Sequence, residues 1–158
     1  MATKKQNKEE QLVLESVFGF FIEIGIIHQL SSTALNRRLP QGMHVSHFSV
    51  LNHLVRLGNG QTPVEIARAF QVTKGTMTHT LSELEKRELI TLLPNPDDRR
   101  SKHVHITSEG TLFRDNAIAS LAPYIASLSS VLDIDAIKTM TSMLQNVRTI
   151  LDNNRDAD

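Results

Sequence analysis

Two stretches of this 158-residue chain carry side chains whose types and spacing could do chemistry. In the first, Thr73, Lys74, Gly75, Thr76, Thr78, His79 and Ser82 crowd one edge of a segment, while Met77, Leu81 and Leu84 line the other at helical steps. Small polar residues in front of apolar anchors suit a helix lying in the major groove of a duplex, where every base pair shows its own donor and acceptor pattern. Lys74, Thr78 and His79 are the candidates for base edges. Thr73, Thr76 and the free N–H groups of a helix start suit phosphate oxygens. Gly75 lowers helix propensity by ~1 kcal/mol relative to alanine, yet it lets another molecule come close to the backbone. In the second stretch, Arg99, Arg100 and Lys102 follow Asp98 in a polar, turn-forming run from Pro94. A guanidinium on such a tip can enter a minor groove, and Arg99 and Lys102 can meet phosphates. The plainer readings are a solvated helix face and an exposed ion pair worth ~0–1 kcal/mol.

Other chemistry finds little support. Cysteine is absent, which removes disulfides, thiolate metal sites and thiol-based redox sensing. There is no Gly-rich phosphate loop, no nucleophile motif and no pair of apolar-embedded carboxylates, so no enzyme activity and no cofactor is expected. Of the seven histidines, His44 and His47 lie three apart and His103 and His105 two apart. Neither pair has a third ligand in register, so no metal is expected. The polar N-terminus is followed by no secretory h-region, and no run of about 18 uninterrupted apolar residues suggests a membrane span. A cytoplasmic location is the expectation. Seventeen basic residues balance seventeen acidic ones, so bulk charge supplies no attraction to nucleic acid and any basic groups must act by placement.

The elements that must position these residues follow from apolar periodicity. Residues 1–8 read as a disordered arm. From Glu9 to Leu35, Val13, Val17, Phe20, Ile24 and Ile27 mark a helical face, widened by Leu14, Phe18, Phe21 and Leu30. Pro40 and Gly42 end it. A second helix, Ser46 to Leu57, is expected to bury Phe48, Leu51 and Val55. Thr62-Pro63-Val64-Glu65 is a capping box that opens a short helix to about Phe70. Gln71 and Val72 make a tight connection to a helix capped by Thr73, completing a helix-turn-helix. Leu89–Leu93 and His103–Thr107 read as the strands of a hairpin around the charged tip. Ser108 can cap a helix to about Leu132, broken near Ala122 by Pro123, and Asp133 or Asp135 starts a last one with Ile137, Met140, Leu144, Val147 and Leu151 on one side. These stripes fit ordinary core packing or a second copy of the chain; the end helices have few other elements to bury against, which favours the second copy.

The order helix, helix, helix-turn-helix, charged wing and two long helices resembles the MarR family of bacterial transcription regulators. FSVLNHL is similar to the family's second helix, and TPVEIARAFQVTKGTMTHTLSELEKRELI to its helix-turn-helix. NPDDRRSKHVHITSEG carries its wing signature at Asp98, Arg99, Arg100, Ser101, Ile106, Thr107 and Gly110. The family often has glycine before the first wing strand; here Glu88 stands there, which implies another helix-ending geometry. The resemblance implies a mainly α fold with a small β-hairpin wing. The winged helix-turn-helix lobe would be residues 43–107, with dimerisation helices in 9–42 and 108–158. It further implies a homodimeric, ligand-responsive repressor on a pseudo-palindromic operator in double-stranded DNA. In that reading Arg100 enters the groove and Asp98 orients it. A small-molecule effector would sit near Phe21, His28, His47 and Phe48, all of which also suit simple packing. The rival reading is a winged-helix module that binds proteins and does not read DNA.

Overall fold

A computed structural model describes residues 2–98, 100–128, 131 and 133–154. The chain divides into two compact units, residues 1–119 and 120–158. The first opens with α1 (Ala2–Asn36). The segment expected to be a disordered arm is therefore helical from Ala2; lysine, glutamine and glutamate, which dominate it, are good helix formers. After α1, the Asn36 Oδ1 accepts a hydrogen bond from the Val45 N–H at 2.9 Å, tying its end to the start of α2 (Val45–Leu57).

Helix α2 is the central element of this unit. It buries His47, Val50, Leu51, His53 and Leu54, whereas Phe48 is half-buried and Val55 is 40% exposed. The buried face is thus rotated from the expected one, because two histidines that count as polar in a pattern pack inside. Helix α3 (Pro63–Ala69) packs on α4 (Lys74–Lys86), and against α2 lie α4 and a two-stranded antiparallel hairpin, β1 (Ile90–Pro94) and β2 (Lys102–Ile106), with Ile90 opposite Ile106 and Pro94 opposite Lys102. Their shared core includes Leu51, Leu54, Ile66, Leu81, Leu84, Ile90 and Val104.

The segment before α3 supplies a short third edge that sequence reasoning missed. Val104 N–H donates to Gln61 O at 2.8 Å, Gly60 N–H donates to Val104 O at 3.1 Å, and Ile106 N–H donates to Asn59 Oδ1 at 2.8 Å. The wing is therefore hydrogen-bonded to the loop that launches the helix-turn-helix. Buried His53 reinforces that loop, its Nε2 lying 2.7 Å from Gln61 Oε1.

At the far end of the hairpin, Thr107 caps α5 (Ser108–Ala119), where the sequence suggests Ser108. Its hydroxyl accepts from Gly110 N–H at 2.9 Å and donates to Glu88 O at 2.8 Å. A Cβ on Gly110 would lie 2.0 Å from the Leu89 carbonyl oxygen, so only glycine fits this crossing. Arg114 then fastens α5 to α2, donating through Nε and Nη2 to Asn52 Oδ1 at 3.1 and 3.0 Å.

The second unit holds α6 (Ala122–Leu128) and α7 (Ile134–Asn153). Pro123 falls in the first turn of α6, where its missing N–H is harmless, and the expected break lies just before it. Ser129, Ser130 and Leu132 lie outside the described residues. Asp133 is the N-cap of α7, its Oδ1 accepting from Asp135 and Ala136 N–H, both at 2.8 Å.

Both units leave apolar faces uncovered. On α1, eleven large apolar residues from Leu12 to Leu30 are exposed; on α7, Ile137, Met140, Met143, Leu144, Ile150 and Leu151 are. That is far more than a water-facing monomer ordinarily shows. By length and composition the Asn7–Asn36 stretch of α1 also suffices to cross a bilayer.

Candidate nucleic-acid interface

The turn between α3 and α4 sets the geometry of the interface. The capping box forms as the sequence suggests. Glu65 N–H donates to Thr62 Oγ1 at 3.3 Å, and Glu65 Oε2 accepts from Thr62 N–H at 2.7 Å and from its hydroxyl at 2.8 Å. The backbone bond, then the hydroxyl bond, holds the Glu65 carboxyl below its ordinary range. Helix α3 ends with Val72 N–H bonded to Ala67 O at 3.1 Å and Gln71 N–H to Arg68 O at 3.2 Å. This is a Schellman ending, with Gln71 at φ 54° in the left-handed region. Two residues later Thr73 caps α4, its Oγ1 accepting from Thr76 N–H at 3.1 Å.

Helix α4 is anchored from behind by buried Met77, Thr80, Leu81 and Leu84. Its opposite edge presents Thr73, Lys74, Gly75, Thr76, Thr78 and His79, all exposed, with Ser82 half-buried. Some donors on that edge are already used. The Thr78 hydroxyl donates to Lys74 O at 2.8 Å, so its oxygen offers lone pairs. The Thr73 and Thr76 hydroxyls share one hydrogen bond at 2.9 Å. A Cβ on Gly75 would meet nothing nearer than 3.9 Å, so no packing within the chain demands glycine there.

The same ending recurs at the other end of α4. Leu89 N–H donates to Leu84 O at 3.0 Å and Glu88 N–H to Glu85 O at 2.9 Å, with Glu88 at φ 59°. The geometry expected to change without glycine does not change; Glu88 itself adopts the left-handed conformation, and packing of Leu84 and Leu89 in the core holds it there.

In the wing tip, Asn95 and Ser101 close the loop through Asn95 N–H to Ser101 O at 3.2 Å and Asn95 Nδ2 to Ser101 Oγ at 2.8 Å. Asp98 Oδ1 accepts from Arg100 N–H at 2.9 Å. Among the described residues no ion pair joins Asp98 to the Arg100 guanidinium. Asp98 shapes the backbone under Arg100 and leaves its head exposed. Arg99 lies outside the described residues; Lys102 is exposed at the start of β2.

The four residues named for an effector do not share an environment. Phe21 and His28 are exposed on α1, Phe21 edge-on to Phe20 with ring centroids 5.5 Å apart. Phe48 is half-buried. His47 is buried, and its Nδ1 accepts from His44 N–H at 3.0 Å, closing the first turn of α2. Desolvation, followed by the charges of His44 and Arg87, lowers its pKa. His103 and His105 lie with ring centroids 6.4 Å apart on β2, and among the described residues no group of three potential ligands could hold a metal ion.

A hairpin wing beside a helix-turn-helix is matched by a family model described as MarR family over residues 41–101, the span that holds α2 to the wing tip. Over that span the chain is similar to the MarR family. It is 25% identical over 134 residues to the HTH-type transcriptional regulator MhqR of Bacillus subtilis (strain 168), covering 84% of this chain and 92% of that protein. Wild-type MarR of E. coli in its apo form superposes with a TM-score of 0.65 at 26% identity over 78% of this chain and 92% of its own. A cysteine-to-serine mutant of that protein complexed with operator DNA matches with a TM-score of 0.65 at 25% identity, over 84% of this chain and 95% of the other. The regulator BldR of Sulfolobus solfataricus shares the fold at 21% identity, with a TM-score of 0.70 over 89% of this chain and 97% of its own. The α2-to-wing lobe has the winged helix-turn-helix form of DNA-binding transcriptional regulators.

Proposed function

We propose that the protein is a cytoplasmic, homodimeric repressor that reads a pseudo-palindromic operator, inserting α4 into the major groove and Arg100 into the adjacent minor groove. One observation carries this reading: α4, whose exposed edge runs from Thr73 to His79, is anchored through Met77, Leu81 and Leu84 in the same core as Ile90 and Val104 of the hairpin that presents Arg100. Thr78 and His79 face base edges, while Thr73 and Thr76 lie at the helix start where phosphate oxygens are favoured. Asp98 contributes by fixing the turn that carries Arg100. Repression needs only that the bound dimer cover a promoter. Ligand response, as a MarR-family regulator would have it, requires a small molecule to reach residues such as Phe21, His28 and Phe48; His47 serves α2 instead.

The test is selection of bound duplexes from a randomised pool, followed by titration at fixed salt. A recovered inverted repeat with half-sites about one helical turn apart supports the reading. Arg100→Ala is expected to weaken binding to that repeat on the order of tenfold or more, as removal of one good groove contact per subunit would. Its melting temperature and subunit number should match the wild type. A pool that yields no enriched sequence would favour the protein-binding module instead.

A further inference from the structure

Between the start of α3, the first residue of α4 and the wing lies a cleft of about 510 Å³, and Lys74, Arg100 and Lys102 all line it. Asp98 is its single carboxylate lining, already accepting from the Arg100 backbone. Nearby Glu65 is turned onto Thr62. Among the described residues none of the three cations is in an ion pair. Three unpaired cations around one concavity constitute an anion site, in a chain whose overall charge is zero.

The position of the cleft says which anion. In any duplex a sugar-phosphate strand separates the major groove from the minor groove beside it. An element lying in one and an element lying in the other must straddle that strand. The cleft is the gap between two such elements, α4 and the wing. We propose that Lys74, with Lys102, grips the phosphodiester strand passing between the grooves while Arg100 enters the minor groove beside it, so that Lys74 is a backbone clamp and not a reader of bases. This rests on the DNA-binding reading above and reassigns the one α4 residue whose charge would otherwise be spent on a base edge. A clamp of this kind sets the register of α4 on the duplex without selecting sequence.

The experiment compares wild type, Lys74→Gln, Lys102→Gln and the double variant on a pool-selected duplex and on a random-sequence duplex, across a salt series. Removing one phosphate contact per subunit should lower affinity for both duplexes by the same factor, roughly threefold per subunit. The slope of log affinity against log salt should become shallower by about 0.9 for each phosphate no longer neutralised. Reselection with Lys74→Gln should return the wild-type sequence. The double variant should be impaired by less than the product of the two single effects, because both side chains hold one strand. Altered preference at one base position with an unchanged salt slope would overturn the clamp and make Lys74 a base reader while leaving DNA binding intact. If wild type binds no duplex even at low salt, the parent reading falls and the clamp with it. Inorganic phosphate at matched ionic strength should not raise the melting temperature; a rise seen in wild type and absent in Lys74→Gln would assign the cleft to a small phosphorylated ligand and overturn the strand assignment.

Discussion

Gly75 separates what the fold needs from what its partner needs. Its site has room for a methyl group, and alanine is the better helix former by ~0.5–1 kcal/mol. Gly75→Ala should therefore raise the unfolding free energy by up to about 1 kcal/mol in urea titrations and, under the proposed DNA-binding reading, at the same time weaken DNA binding, because the added methyl would stand where the duplex is proposed to approach. Improved stability with undiminished affinity would show that the backbone is not approached there. His47 makes the opposite kind of statement. Its Nδ1 can accept from His44 N–H only while unprotonated, and burial lowers its pKa below the ordinary value of 6.5. The unfolded chain thus takes the proton first, and stability present above pH 6.5 is lost as pH falls through the lowered folded-state pKa. His47→Gln keeps an acceptor at the third helical position but cannot titrate. Unfolding free energies measured from about pH 7.5 to 5 should fall less steeply in the variant, and parallel curves would remove His47 from the acid response.

At the scale of elements, Gln71 and Glu88, the left-handed non-glycine residues among those described, are where local strain sits. Gln71 and Glu88 each close a helix in a conformation that costs a non-glycine residue ~1–2 kcal/mol. Replacing Glu88 by glycine should stabilise the protein by about 1 kcal/mol, partly offset by the greater freedom of the unfolded chain. A calorimetric melting temperature that stays level or falls would mean that the Glu88 side chain makes a compensating contact. These endings also mark how far the sequence could be read. The capping box at Thr62, the Thr73 cap, the anchors Met77, Leu81 and Leu84, and the hairpin strands were legible because each depends on neighbours a few positions away. The phase of α2 was not, since buried histidines hide in a polar pattern. Nor was the strand-like pairing of Gln61 with Val104, a backbone contact across some forty residues that leaves no composition signal. At the candidate site the exposed edge of α4 could be foreseen from periodicity. The cleft that draws Lys74 toward Lys102 could not, because it depends on where the wing folds back.

At the scale of the whole molecule the uncovered faces of α1 and α7 need a partner, and their composition argues for a second copy of the chain over a bilayer. Glu15 and Glu23 lie within the apolar stretch of α1. Carboxylates near the middle of a spanning helix would cost on the order of 3 kcal/mol each, whereas in a helical pairing they can point to water. Helix α7 carries Lys138, Arg148 and Asp152, which suits an amphipathic helix with one apolar side. Pairing also answers the neutral net charge. In the proposed dimer, two clefts and two wings on one duplex would add their counterion release, so the salt dependence would be about double that of a single subunit. Phe18, 66% exposed on α1, tests both points together. Phe18→Glu should shift sedimentation from dimer toward monomer at micromolar concentration and halve the salt slope of DNA binding. Since Phe18 lies in the exposed face and adds nothing to the core of α2 to α4, that lobe should stay folded by circular dichroism. A variant that remains dimeric would place the contact elsewhere on α1 or on α7, and wild-type protein recovered with the membrane fraction would return α1 to the bilayer.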